Sequence, residues 1–280
     1  MTGAPRITDF AALDRQRQRA ARNPVLFLHD EVAVEIEERL TEINKSFTTP
    51  LLVGHATRPF RALLPTARVI GDDPHLMVQP ASHDLIVHSF ALHWADDPVG
   101  QMVQSRLALA PDGLFIGILF GGATLNELRT SLAEAETRLS GGLSPRVLPM
   151  ADIRELGSLL GRAGLALPVA DSIKLTVRYP SLARLVADLR GMGETNALHA
   201  RNRVTPRRAL FDLTEDLYRQ HFCDADGYLT ATFEIVFLTG WSPSGNQQKP
   251  LRPGSARNRL ADALGVEERP TGDPVAPRTR

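Results

Sequence analysis

Cysteine is almost absent from this sequence. A single thiol, Cys223, stands among 280 residues, so no disulfide can form within the chain, and a reducing cytosol is the expected setting. A lone cysteine of this kind is expected to be a half-buried structural side chain, with a nucleophilic thiol as the alternative. No apolar run approaches the roughly 18–20 residues of a membrane span. No apolar signal core follows Arg6 either, so no secretory signal is read and a cytoplasmic protein is expected. An excess of one charge is also lacking. Lys+Arg and Asp+Glu both number 32, which gives no support to nucleic-acid or membrane binding through bulk electrostatics. Finally, metal-ligand spacing is missing. His55, His75, His83, His88 and His93 crowd one region, yet no HxxxH or HxD pair stands among them and no cysteine is near, so no metal is expected.

What is present reads as a soluble globular chain, with 43% hydrophobic and 23% charged residues. The organising stretch runs from Asp84 to Gly122. Asp84 to Val87 is a short apolar strand. Asp97 to Ala110 carries Val99, Met102, Val103 and Leu107 at helical spacing. Pro111-Asp112-Gly113 is turn chemistry, and Leu114 to Phe120 is a second apolar strand. Strand, helix, turn and strand in that order make a βαβ unit, and strands apolar on both faces suit a buried parallel sheet.

Around it, Glu31 to Ile43 places Val32, Ile36, Leu40 and Ile43 on one helical stripe. Leu51 to Gly54 and Arg68 to Asp73 read as strands, Phe60 to Leu64 as a short helix, and Leu76 to Val78 as a further short strand. Thr124 to Leu139 is a helix with Thr124 and Glu127 at capping-box spacing. Ala151 to Ala163 is another helix, with Gly164 as its cap. Helical patterns over Ser181 to Met192 and Thr205 to Phe222 separate an alternating strand ending at Tyr179 from a last strand, Leu229 to Trp241. The basic run Arg15 to Arg22 is either a solvated helix face or an arm for an acidic partner.

These elements predict an α/β three-layer sandwich with a helical insert, about 180–222, before the last strand. An N-terminal helical segment (1–46) precedes the α/β domain (47–241), and a Pro-, Gly- and Arg-rich tail (242–280) is expected to be largely disordered. Ligands in such sheets bind beyond the carboxyl ends of the strands. Those ends here are Gly54-His55, Asp72-Asp73, Phe90 to Trp94 and Phe120 to Gly122.

LHW at Leu92 to Trp94, PDG at Pro111 to Gly113, FGGATLNELR from Phe120, SGGLSPRVLP from Ser140, GMGETN within Leu189 to Ala197 and DGYLTATFEIVFLTGW from Asp226 carry a resemblance. DRQRQRAA, Asp14 to Ala21, fits as well. The chain resembles class I S-adenosylmethionine-dependent methyltransferases, Rossmann-like in fold. The nearest subset contains the mitochondrial complex I assembly-factor arginine hydroxylase, and biotin-pathway malonyl-carrier-protein methyltransferases are more distant. The resemblance implies S-adenosylmethionine as cofactor, with Gly54, His55, Asp72, Asp73, Phe90 and Leu92 around it. It implies His93 and Trp94 as catalytic candidates beside cofactor and substrate, and a respiratory complex I subunit as partner. Glu194 and Asn196 follow a helix and would bond a substrate or partner, or cap neighbouring helices.

One region departs from the family pattern. Where the family carries an acidic, glycine-rich loop after its first strand, Leu51 to Phe60 keeps only Gly54, and Pro59 stiffens the loop. The segment between Asp73 and Asp84 is also shorter than the family has, so the third strand looks nearly deleted. Two readings follow. One is an active methyltransferase or arginine hydroxylase. The other is a cofactor-free assembly or binding protein built on the same sheet.

Overall fold

The computed structural model describes residues 6–247. The expected tail, 248–280 in particular, therefore lies outside the described residues. Fifteen elements run in the order α1 (Phe10–Ala20), α2 (Phe27–Glu42), β1 (Pro50–Val53), α3 (Arg58–Leu63), β2 (Arg68–Ile70), β3 (His83–Ser89), a 3-10 turn (Leu92–Trp94), α4 (Pro98–Ala108), β4 (Leu109–Phe120), α5 (Asn126–Ser140), α6 (Ile153–Arg162), β5 (Ala166–Tyr179), α7 (Leu182–Met192), α8 (Arg208–Phe222) and β6 (Leu229–Trp241).

The strands form one mixed sheet in the order β2-β1-β3-β4-β6-β5. β1, β2, β3 and β4 are parallel, with Leu52 beside Val69 on one side and Val87 on the other, and Val87 beside Ile116. β6 runs antiparallel between β4 and β5. Successive side chains on a strand point to opposite faces, and both faces here are apolar. Leu85, Val87, Leu114, Ile116 and Ile118 pack against α2, α5, α7 and α8 through Leu28, Ile36, Leu128, Leu185 and Tyr218. Ile86, Phe115 and Leu119 pack on the other face against Met102 of α4 and Leu156 and Leu160 of α6. The result is the expected three-layer α/β sandwich, with α7 and α8 lying between β5 and β6. Among the described residues no helix is long and apolar enough to cross a membrane.

Four expectations are corrected. Pro111-Asp112-Gly113 is not a free turn but the irregular start of β4. Asp112 takes φ +62°, and its N–H reaches Ser242 while the Ser242 N–H reaches Gly113. Pairing with the residue after β6 draws these backbone groups into the sheet. Leu76 to Val78 forms no strand; Leu76 is buried as an anchor on the α4 face. Cys223 is exposed at the end of α8, not half-buried.

The fourth correction is the capping box. α5 begins at Asn126 behind Leu125, which takes φ +52°, and no side chain caps it. The Thr124 hydroxyl instead donates to the Glu234 carbonyl at 3.0 Å and accepts from the Glu234 N–H at 3.1 Å, while Glu127 takes the Thr232 N–H at 3.2 Å. Sheet backbone outcompetes the helix terminus for both side chains. Thr124→Val, which keeps the shape and removes the hydroxyl, is expected to cost about 1–3 kcal/mol in urea denaturation because it leaves buried backbone groups unpaired.

Candidate functional site

The carboxyl ends of β1, β2, β3 and β4 meet α1 and the loop after α7 at one edge of the sheet. α1 reaches this place because its apolar residues share a stripe, Phe10, Leu13 and Ala20, with Asp9 capping its first turn. Arg17 sits on that same stripe. It is drawn inward, and its Nη1 donates to both carboxylate oxygens of Asp72 at 2.8 Å. Both side chains are only 11–12% exposed.

Asp72 lies just beyond β2, where the acidic residue of a dinucleotide-binding sheet accepts ribose hydroxyls. Burial raises its carboxyl pKa, but the Arg17 guanidinium outweighs that effect and holds it below the usual value. The loop after β1 is occupied from within as well. Gly54 takes φ +137°, and a Cβ there would stand 2.5 Å from the Ser89 carbonyl, so its glycine serves close packing on β3. The His55 ring bonds the Met192 carbonyl at 3.2 Å, and burial, reinforced by Arg17, lowers its pKa.

Below these groups lies a buried polar cluster centred on Glu194. Its Oε2 accepts from Trp94 Nε1 at 2.7 Å and His93 Nε2 at 3.1 Å. Its Oε1 is buried without a partner. Burial pushes the Glu194 carboxyl up, but the His93 charge and hydrogen bond outweigh it, and the pKa falls to about 2. His29, from α2, packs on Phe90 at 4.5 Å and near His55 at 6.3 Å between ring centroids. Both its nitrogens are buried without partners, and burial lowers its pKa to about 3, so it is neutral at pH 7. His88 in β3 bonds Gln101 at 3.0 Å, and Gln101 in turn holds the Asp72 carbonyl at 3.1 Å. Burial lowers the His88 pKa to about 4.

Two cavities flank this cluster. One, of about 940 Å³, is lined by Arg17, Gly54, His55, Arg58, Asp72 and Asp73, among others. The other, of about 890 Å³, lies between α1, α5 and α7 and includes Trp94, Phe120, Glu194 and Asn196 in its wall. The expected site residues divide accordingly. Gly54, His55, Asp72 and Asp73 share the first cavity. Trp94, Glu194 and Asn196 share the second. Phe90 and Leu92 lie in the core beneath, and His93 is buried on Glu194. Asn196 caps no helix; its side chain ties Pro145 and Leu198 together. Among the described residues no three His, Cys, Asp or Glu side chains form a metal-holding group.

Arg17 and His29 were missed by residue reasoning. The signal for Arg17 was its place in the 10, 13, 17, 20 stripe, a charge on an apolar face. GMGETN acquires a plain meaning here. A Cβ at Gly191 would stand 2.5 Å from the Val25 side chain, and one at Gly193, at φ +79°, 3.1 Å from Arg17. These glycines let α1 and the chain after it approach α7.

The residues at the first cavity do not fit S-adenosylmethionine. Of the two carboxylates at the end of β2, Asp72 is committed to a guanidinium, which puts a positive charge in the wall of the cavity that a cationic ligand would enter. Releasing Asp72 would strand a largely buried arginine, which costs about 3–5 kcal/mol, or roughly 10²–10⁴-fold in affinity.

No family model matches the chain. Pairwise similarity does place it. The mouse protein named arginine-hydroxylase NDUFAF5, mitochondrial, is 34% identical over 86% of this chain and 79% of its own length. The chain belongs to the NDUFAF5 family. The malonyl-[acyl-carrier protein] O-methyltransferase of Xylella fastidiosa is 33% identical over 64% of this chain and 59% of its own length. Among solved structures, the [4+2]-cyclase SpnF is 14% identical with a TM-score of 0.48, over 88% of this chain and 100% of that one. The phosphoethanolamine N-methyltransferase 2 of Haemonchus contortus, solved with S-adenosyl-L-methionine, is 12% identical with a TM-score of 0.42, over 75% of this chain and 53% of that one. Sequence similarity to the named relatives makes the chain methyltransferase-like, and its mixed α/β sheet is the one described above.

Two outcomes test the site. Gly193→Ala is expected to cost more stability in urea than Gly141→Ala. Both meet the left-handed penalty of about 1–2 kcal/mol, but Gly141, at φ +66°, has nothing within 4 Å. Stability is also expected to fall with acid in two stages. His88 and His29 are neutral when folded, with pKa values about 4 and 3 against 6.5 unfolded, so the unfolded chain takes up more protons below 6.5. Glu194, ionised down to about 2 when folded, loses its contribution as pH falls below 4.5. In denaturation curves at each pH, His88→Gln should flatten the first stage and Glu194→Gln the second.

Proposed function

We propose that this member of the NDUFAF5 family works as a binding protein, engaging a protein partner in assembly without using S-adenosylmethionine. The observation that carries the reading is the seat of Arg17 on Asp72. It commits the Asp72 carboxylate, in the wall of the first cavity, to the chain's own guanidinium, and the glycine-poor loop after β1 supports the same reading. The relatives are named arginine hydroxylases, and the family resemblance points to a subunit of respiratory complex I as partner. On this reading the segment around Glu194 and Asn196, beside the second cavity, meets that partner. The lone cysteine supports work in the cytoplasm.

Isothermal titration with S-adenosylmethionine and with S-adenosylhomocysteine tests the reading. No heat and no thermal shift are expected up to millimolar ligand. One-to-one binding in the micromolar range would overturn it and restore the methyltransferase or hydroxylase reading.

A further inference from the structure

The second cavity has a chemistry of its own. Its floor is apolar, formed by Leu125, Leu128, Leu132, Leu148, Leu189 and Phe233, among others. Its charged wall is unbalanced. Arg19, Arg146, Arg184 and Arg190 line it, against Asp188 and Glu194. Both acids are engaged, Asp188 by Arg184 at 3.1 Å and Glu194 by His93 and Trp94. Arg146 is held by Glu136 at 2.6 Å. Arg19 and Arg190 make no side-chain hydrogen bond or ion pair among the described residues. They lie where α1 and the end of α7 meet, and both are exposed.

We propose that this cavity binds an anionic amphiphile, an apolar chain headed by a carboxylate, with the chain on the leucine floor and the head at Arg19 and Arg190. The volume, about 890 Å³, lies in the range of small-molecule sites, which combine apolar walls with a few placed polar groups. The floor supplies the hydrophobic term, at about 25 cal/mol per Å² of apolar surface removed from water. The unpaired guanidinium groups supply orientation, since arginine recognises carboxylates through paired N–H donors. The inference does not rest on the pair of Arg17 with Asp72, because Arg17 lines only the other cavity.

The test is calorimetric titration of the whole chain with sodium dodecanoate below its micelle concentration. Dodecanol and phosphatidylglycerol vesicles form separate arms. Saturable one-to-one binding of dodecanoate is expected, weakened about tenfold or more in the double variant Arg19→Gln and Arg190→Gln, with its melting temperature unchanged. Dodecanol should bind about tenfold more weakly. Equal affinity for dodecanol, equal affinity in the variant, or no binding of dodecanoate would overturn the proposal. Sedimentation with vesicles in the absence of dodecanoate binding would also overturn it, since that marks a surface contact rather than an enclosed chain. Binding of an acidic peptide with no saturable binding of dodecanoate would assign the cavity to a protein segment and sink the idea.

Discussion

The pair of Arg17 with Asp72 is the constraint on which the rest of the site depends. Each charge is tolerable in its largely buried place only because the other is there. The pair fixes α1 against the end of β2, and α1 and the chain after it in turn require glycine at 193 and 191 to come close enough to α7. A surface ion pair would have little such leverage, because water would supply the missing interactions. Here a single guanidinium sets the charge beside Asp72 at the sheet edge.

The two halves of the ligand end have diverged in character. On the β1–β2 side, the cavity wall is polar, and Asp72 and His55 in it are engaged by Arg17 and the Met192 carbonyl. On the α5–α7 side, the cavity has an apolar floor and unspent arginine donors. Between them stands Glu194, which orients His93 and Trp94 and keeps one oxygen unsatisfied. The sheet beneath serves both halves equally, a reminder that a fold supplies positions and its grafted side chains supply chemistry.

Much of the scaffold was legible in the residues. Continuous apolar strands from Leu85 to Val87 and from Leu114 to Phe120 suit a sheet covered on both faces, and the helix between them followed from 3.6-residue spacing. What sequence could not show was competition between partners. Thr124 and Glu127 match a capping box in spacing, yet the β6 backbone holds both. Pro111-Asp112-Gly113 has turn composition, yet Ser242 pairs with it. In each case the winning partner lies more than a hundred residues away, where no local pattern reports it. The same holds at the site. Asp72 and the glycine-poor loop were visible as single facts, but that a basic stretch near the N-terminus supplies the counter-ion is a fact of packing. Cys223 was misplaced because burial statistics for cysteine say nothing of a helix end that faces solvent.

The loop after β1 and the end of β2 are each fastened more than once. His55 is tied to the end of α7, Gln101 of α4 grips the Asp72 backbone, and His88 steadies Gln101 from the core. Removing Arg17 alone would therefore uncover a carboxylate without freeing the surrounding chain to move. The fastenings are redundant. Each comes from a different element, so a substitution at residue 17 would change the charge of the cavity wall while the other ties keep its shape.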